Sequence, residues 1–410
     1  MVVATHGRVW QADYMLIGVP KESYPGERRV ALTPAVLPSL IQTGLKILVQ
    51  AGAGAEAGHA DEDYKKAGAE IIDSRQEIFS APDVILQVLA LNANPLAGLS
   101  DLALMRPHQA LIAFLRPLGA QDNNITALAK AKVTGFAVEM IPRITRAQSM
   151  DALSSMSTVV GYKAVLAAAE ELPKMFPMLM TAAGTIKPAR IFVIGAGIVG
   201  LQAIATARRL GAVVKAYDVR PAVKQEVESL GARFVEIPLE TGEEEKAGGY
   251  AKAKDETFYR RQQELLTGVI AESDVVVTAA VVPGRKAPVL ITEAMVEQMA
   301  AGSVIVDLAG EQGGNCALSS AGENVVRHGI TIMSPINIAS TVPFHASQLY
   351  AKNLSNLLLY LVKDGQLRLE RDDPIIKDVL ITYDGEVVNE RLRDFLQLSP
   401  LEPGEHKQEA

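Results

Sequence analysis

At 410 residues the chain is longer than one hydrophobic core supports, and 49% apolar against 21% charged residues exclude the disordered class, so two folded domains are expected. A net charge of −7, without a Lys/Arg stripe carrying interleaved aromatics, argues against nucleic acid as a partner. The single cysteine, Cys316, leaves no disulfide framework or cysteine-rich metal site and fits a reducing compartment.

Met1 to Trp10 lack the basic start and apolar run of a secretory signal. Met15 to Val19 reads as a strand ended by Pro20. Thr33 and Pro34 then open a helix reaching Gly44, and Leu45 to Gln50 is the next strand. The alternation continues with a helix at Glu62 to Ala67, strands at Glu70 to Ile72 and Val84 to Leu89, and a helix near Leu99 to Met105. Ala110 to Phe114 (strand), Asn123 to Ala131 (helix) and Thr134 to Ala137 (strand) follow. This order predicts a parallel sheet covered by helices on both faces.

Apolar residues recur at helical spacing from Ser149 to Leu172, long enough to bridge two domains. Met175, Met178 and Met180 beyond it read as packing filler. A second alternation begins with the strand Arg190 to Ile194, helix Val199 to Leu210 and strand Val213 to Tyr217. It continues through helix Ala222 to Leu230, strand Arg233 to Val235, helix Phe258 to Ala271 and strand Val275 to Thr278. Helix Thr292 to Met299 and strands Ser303 to Asp307 and Ile330 to Met333 complete a dinucleotide domain in sequence order. The fold class expected is thus α/β, with two Rossmann-like domains on parallel sheets joined by long helices. The apolar stretch Leu354 to Val362 is short and interrupted by Ser355 and Asn356, so no segment reads as a membrane span. From Ser399 on, the chain reads as a disordered tail.

The motif that carries chemistry is Gly195-Ala196-Gly197-Ile198-Val199-Gly200. Three glycines alone are a weak signal, since Gly52, Gly54 and Gly58 give a near match with the wrong last spacing. The second motif, however, follows an apolar strand and opens a helix with Arg208 and Arg209 in its last turn before Gly211. Gly195 permits the tight turn, Gly197 the approach of a pyrophosphate, and Gly200 close helix–strand packing. Asp218, 18 residues beyond Gly200, ends the next strand, where a carboxylate accepts bonds from ribose hydroxyls and repels a 2'-phosphate. NAD is favoured over NADP. Beside Val219, Arg220 either offsets such a phosphate, lies over the adenine, or pairs with Asp218.

Groups for the nicotinamide end must come from loops at the carboxyl ends of strands: Thr278 to Pro288, with Ala280 and Gly284, Asp307 to Gly314, and Pro142 to Ser155. The last holds Arg143, Gln148, Asp151 and Ser154, whose hydrogen-bonding capacities suit a carboxamide and one another. A polar helix start with a surface ion pair has the same composition. No two of the six histidines have ligand spacing, so no metal residues are assigned.

Nearly the whole chain resembles the NAD(H)-binding soluble part of the alpha subunit of proton-translocating nicotinamide nucleotide transhydrogenases. The resemblance rests on Ile17 to Glu22, Arg28-Arg29-Val30-Ala31-Leu32-Thr33-Pro34, Pro142 to Asp151, Gly195 to Gly200 and Glu311-Gln312-Gly313-Gly314-Asn315. It implies that Arg143 and Asp151 pair and hold the nicotinamide or its carboxamide, that Ser154 orients it, and that Gln148 reaches toward an NADP(H)-binding partner domain. It further implies that Gly248-Gly249-Tyr250-Ala251-Lys252, inside the polar insertion Thr241 to Asp255, is a mobile loop closing over nucleotide. The chain would then comprise residues 1–145 with about 340–390 as one domain, 146–339 as the NAD(H) domain and 399–410 as tail. It would act as a homodimer on the cytoplasmic side of a membrane complex, passing hydride from NADH to NADP+ on the partner while membrane subunits move protons.

The alanine dehydrogenase branch is similar over the same length, and resemblance to it would imply a lysine and a histidine handling substrate. Here the corresponding strand reads Ile85-Leu86-Gln87-Val88-Leu89 and the histidine position is Arg116, which cannot shuttle a proton near neutral pH. Arg29 is shared by both branches, and Glu311 stands where that branch has aspartate. A silent NAD-binding scaffold is a third reading, against which the Arg143 to Ser154 set speaks.

Overall fold

The computed structural model describes residues 3–5, 8–10, 14–119, 124–236, 256–281, 285–363 and 365–401. The chain divides into two compact units, Met1–Met156 with Ser340–Ala410, and Ser157–Ala339. Each is an α/β unit of Rossmann type, and the long helices Ala152–Glu171 and Pro343–Leu361 lie at the two passages between them.

In the first unit Met15–Val19 is the first strand of an eight-stranded sheet. Leu45–Gln50 and Glu70–Ile72 extend it on one side, Val84–Leu89, Ala110–Phe114 and Thr134–Ala137 on the other, all parallel. Leu380–Tyr383 and Glu386–Val387, from the returning C-terminal segment, add an antiparallel edge. Both faces are covered, which is why Val84, Ile85, Leu86 and Val88, interrupted only by the buried Gln87, are apolar and all at 0% exposure.

The second unit repeats the plan in seven strands, with Arg190–Ile194 beside Val213–Tyr217 and then Arg233–Phe234 on one side. On the other side lie Val275–Thr278, Val304–Asp307, Ile330–Met333 and the antiparallel Asn324–Arg327. The chain reverses its direction of travel across the sheet between Arg190–Ile194 and Val275–Thr278, where open α/β sheets leave a crevice at the strand ends. Helix Ile198–Arg209 buries Gly200, Ala203, Ile204 and Ala207, a stripe at 3.6-residue spacing, and stops before Gly211 at φ +88.

Helix Ala152–Glu171 is long and apolar enough to cross a membrane by composition, but Ala164, Val165 and Ala168 are buried in the second unit's core. Its Gly161 lies so close to the neighbouring helix that a Cβ there would stand 2.2 Å from the Val199 carbonyl oxygen.

Several expectations change. The helix predicted from Thr33 to Gly44 is a 3-10 turn, Pro34–Val36, followed by Leu37–Ile41. Helical spacing from Ser149 becomes α-helix only at Ala152, because Thr145–Met150 is a 3-10 segment. The elements that went unpredicted include helix Arg75–Ser80, capped by the Ser74 hydroxyl, the hairpin Leu179–Thr181 with Gly184–Ile186, strand Asn324–Arg327 and, in the returning C-terminal segment, helices Pro343–Leu361, Pro374–Val379 and Glu390–Phe395 with strands Leu380–Tyr383 and Glu386–Val387. Met175, Met178 and Met180 are not core filler, being 48%, 56% and 78% exposed around that hairpin. Ser399 is not free, since the Arg393 guanidinium donates to its carbonyl.

Candidate functional site

Gly195 leaves the strand Arg190–Ile194 at φ +96, and a Cβ there would lie 3.0 Å from the Ala279 backbone across the crevice. A Cβ at Gly200 would stand 1.8 Å from the Gly195 carbonyl oxygen. Both glycines are therefore demanded by the turn's own backbone. Gly197 differs: it caps the helix, and a Cβ built on it meets nothing within 4 Å. The first intrahelical bond here runs from Leu201 N–H to the Gly197 carbonyl (2.8 Å), so the N–H groups of Ile198, Val199 and Gly200 precede the ladder. An open cradle at Gly197 beneath unladdered N–H groups fits an anionic pyrophosphate.

Asp218 closes the turn from the neighbouring strand. Its Oδ2 accepts the Ala196 N–H at 2.8 Å, its Oδ1 the Arg220 N–H at 2.9 Å, and the Arg220 guanidinium pairs with both oxygens at 2.9 Å. Of the three sequence readings for Arg220, pairing with Asp218 is the one this geometry contains. The carboxylate is only 6% exposed, and the half-buried Arg220 side chain covers it.

The far wall of the crevice is organised by two residues whose roles the sequence reading missed. Asn315, at 0% exposure, clamps Ala280 by accepting its N–H (3.0 Å) and donating to its carbonyl (2.8 Å), with a second donation to Pro288 (2.8 Å). Asp307, also fully buried, accepts from Thr278, Ala309, Cys316 and Ser319 at 2.6–3.0 Å. The signals available were Asn315's place in the Glu311 to Asn315 motif and Asp307's place at the end of a predicted strand and the start of a candidate loop. Gly284, Tyr250 and the insertion around Tyr250 lie outside the described residues.

In the first unit, the Asp151 carboxylate caps the start of helix Ala152–Glu171, accepting the Ser154 N–H at 2.8 Å and its hydroxyl at 2.5 Å. Arg143 and Gln148 are exposed on the preceding loop. No ion pair joins Arg143 to Asp151 among the described residues; the carboxylate is turned to Ser154 instead.

Glu293, Glu297 and His328 bring ligand-type atoms within 4.8 Å of one another, a grouping invisible to local spacing because the histidine arrives on a distant turn. All three are exposed, and the imidazole Nε2 lies 3.2 Å from a Glu293 carboxylate oxygen.

Residues 18–160 match the model of the alanine dehydrogenase/PNT N-terminal domain and residues 164–390 that of the alanine dehydrogenase/PNT C-terminal domain. The chain belongs to the alanine dehydrogenase/PNT family. Within this family it is 45% identical over 386 residues to the first portion of the split NAD(P) transhydrogenase subunit alpha of Rhodospirillum rubrum, covering 92% of this chain and 99% of that one. A crystal structure of transhydrogenase from Sinorhizobium meliloti superposes with a TM-score of 0.81 at 42% identity, covering 91% of this chain and 100% of that one. An L-alanine dehydrogenase structure follows at 0.77 and 26%, covering 93% and 99%.

Membership of the alanine dehydrogenase/PNT family draws attention to the first unit's own strand ends. There Glu22 accepts the Val88 and Leu89 N–H groups at 2.6 and 3.2 Å, and Glu139 those of Leu115 and Arg116 at 2.9 and 2.6 Å. Burial pushes Glu22 up to about 8, helped by Glu27, and Glu139 up to about 7. Arg29 is bound to Glu27 through two hydrogen bonds of 2.8 and 2.5 Å, and Gln87 is 1% exposed with its Nε2 unbonded. This end of the sheet is thus plugged by carboxylates that receive backbone N–H groups.

Proposed function

We propose that the chain is the NAD(H)-binding component of a proton-translocating NAD(P) transhydrogenase, passing hydride from NADH to NADP+ held by the NADP(H)-binding domain of a beta subunit. The reading is carried by the Arg143 to Ser154 loop, which presents Arg143 and Gln148 to solvent beside the Asp151–Ser154 pair. Its support is the 45% identity, over 92% of the chain, to the first portion of a transhydrogenase alpha subunit.

The bound nicotinamide supplies the hydride itself, so the chain's task is to bind, orient and exclude water. Gly195 to Gly200 would hold the pyrophosphate, and Asp218 with Val219 and Arg220 the adenosine ribose. In the second unit Ala280 and Gly284 would contribute to nucleotide binding; in the first, Arg143, Asp151 and Ser154 would hold the carboxamide, and Gln148 would face the partner. Tyr250 would belong to the closing lid. Against the alanine dehydrogenase reading, Gln87 and Arg116 offer no proton shuttle at neutral pH. In this proposal the chain works as a homodimer, docked peripherally on the cytoplasmic face of membrane subunits that move the proton.

The test mixes the purified chain with NADP(H)-loaded partner domain and follows reduction of an NAD analogue by NADPH. Transfer at catalytic rates is expected. NADH binding without transfer overturns the reading.

A further inference from the structure

The loop that presents Arg143 and Gln148 contains nothing more regular than the 3-10 segment Thr145–Met150, so its position depends on what satisfies its backbone. Its inner side is held. Ala147 and Met150 are buried, and Arg146 pairs at 3.1 Å with Asp373, which also caps helix Pro374–Val379 and accepts the Tyr360 hydroxyl at 2.5 Å.

The Ser149 carbonyl is held more tightly still. Asn353 and Asn356 lie three residues apart on helix Pro343–Leu361, hence on one face, and each donates its Nδ2 to that oxygen at 2.9 Å. A carbonyl has two lone pairs, so two donors from one rigid helix fix both its place and its direction. This arrangement is not what packing alone would select. Asn353 is 6% exposed and its Oδ1 has no partner, an unmet buried acceptor that an apolar residue of similar size would avoid.

We infer that Asn353 and Asn356 are positioning residues for hydride transfer: by clasping the Ser149 carbonyl they hold Gln148 on one side and Asp151 on the other in the reacting arrangement. The inference rests on the transhydrogenase reading. The two asparagines act through the loop and do not touch the reactants. A displacement of about 1 Å between the two rings lowers the rate about a hundredfold, whereas binding of NADH by the glycine turn of the other unit is insensitive to it.

The experiment uses the full chain with its NADP(H)-loaded partner domain. Asn356→Asp is isosteric, half-buried and turns a donor into an acceptor; Asn353→Asp and the double variant complete the set, and Asn356→Gln restores an amide. Turnover at saturating nucleotide is expected to fall about tenfold in Asn356→Asp and about a hundredfold in the double variant, with NADH affinity within about threefold of the unaltered chain. Asn356→Gln recovers most of the rate. Hydrogen exchange of residues 143–151 rises in the aspartate variants while exchange across the sheet strands does not.

Should Asn353→Asp fail to fold, Asn356→Asp alone decides. Unchanged turnover with unchanged exchange in Asn356→Asp overturns the inference. If the unaltered chain binds NADH yet transfers nothing, the transhydrogenase reading fails and takes the positioning role with it; the unaltered chain therefore tells the two failures apart.

Discussion

The carboxylate of Asp218 reaches across to accept the Ala196 N–H at 2.8 Å, so the end of one strand holds the middle of the glycine turn that leaves its neighbour. Asp218 thus has a structural task before any ribose arrives. Asp218→Asn keeps an acceptor for Ala196 and loses the charge; Asp218→Ala loses both. NADH affinity, measured by fluorescence titration, is expected to fall about tenfold in the first, the roughly 1.4 kcal/mol of one charge-assisted bond, and about a hundredfold in the second. Equal losses would show that the turn does not depend on this bond.

Arg220 occupies both oxygens of that carboxylate at 2.9 Å. A guanidinium there also offsets the charge that repels a 2'-phosphate. Arg220→Ala should therefore sharpen the preference for NADH, lowering NADPH affinity by about tenfold more than NADH affinity, consistent with one lost charged contact. Parallel titrations with the two nucleotides give the ratio, and a ratio equal to that of the unaltered chain sinks the idea.

The three glycines separate fold from binding. A methyl at Gly200 would overlap the Gly195 carbonyl oxygen at 1.8 Å, so Gly200→Ala should cost about 2–4 kcal/mol or abolish folding of the second unit. A methyl at Gly197 meets none of the chain's atoms within 4 Å. Gly197→Ala should leave thermal unfolding within about 2 °C of the unaltered chain, a change of under 1 kcal/mol. It should still remove most NADH binding, because the methyl occupies the cradle. Calorimetry with and without NADH reads both, and an intact affinity in Gly197→Ala would place the pyrophosphate elsewhere.

How much of this was legible depended on whether an element's cause is local. Strands such as Met15–Val19 and Arg190–Ile194 announce themselves because a parallel sheet buries both faces and leaves an uninterrupted apolar run. The Leu179–Ile186 hairpin does not, because its strands are three residues long and bury no alternating face. The grip of Asn315 on Ala280 spans 35 residues and has no periodic trace. Asn356 is the sharpest case. In sequence it only interrupts an apolar run, arguing against a membrane span; in the fold that polar break faces the Ser149 carbonyl.

The carboxylates at the first unit's strand ends set a pH dependence. Glu22 is pushed up to about 8 and Glu139 up to about 7 from an ordinary 4.5, chiefly because burial disfavours the charged form. Glu27, Arg29, Tyr350 and Arg116 face these two groups and couple to them. Both native pKa values lie above the unfolded value, so the folded chain binds more protons between pH 4.5 and 8. The stability these groups contribute is fully present below about pH 4.5 and is lost as pH rises through 7 and then 8. The melting temperature of the first unit should therefore fall by several degrees between pH 6 and pH 9, at about 2–4 °C per kcal/mol. Glu22→Gln, neutral throughout, should lose the part of that fall that continues up to about pH 8 while keeping the part, due to Glu139, that ends near pH 7. Calorimetric scans across the range check it, and parallel curves for the variant and the unaltered chain would mean that Glu22 is ionised in the native state at neutral pH.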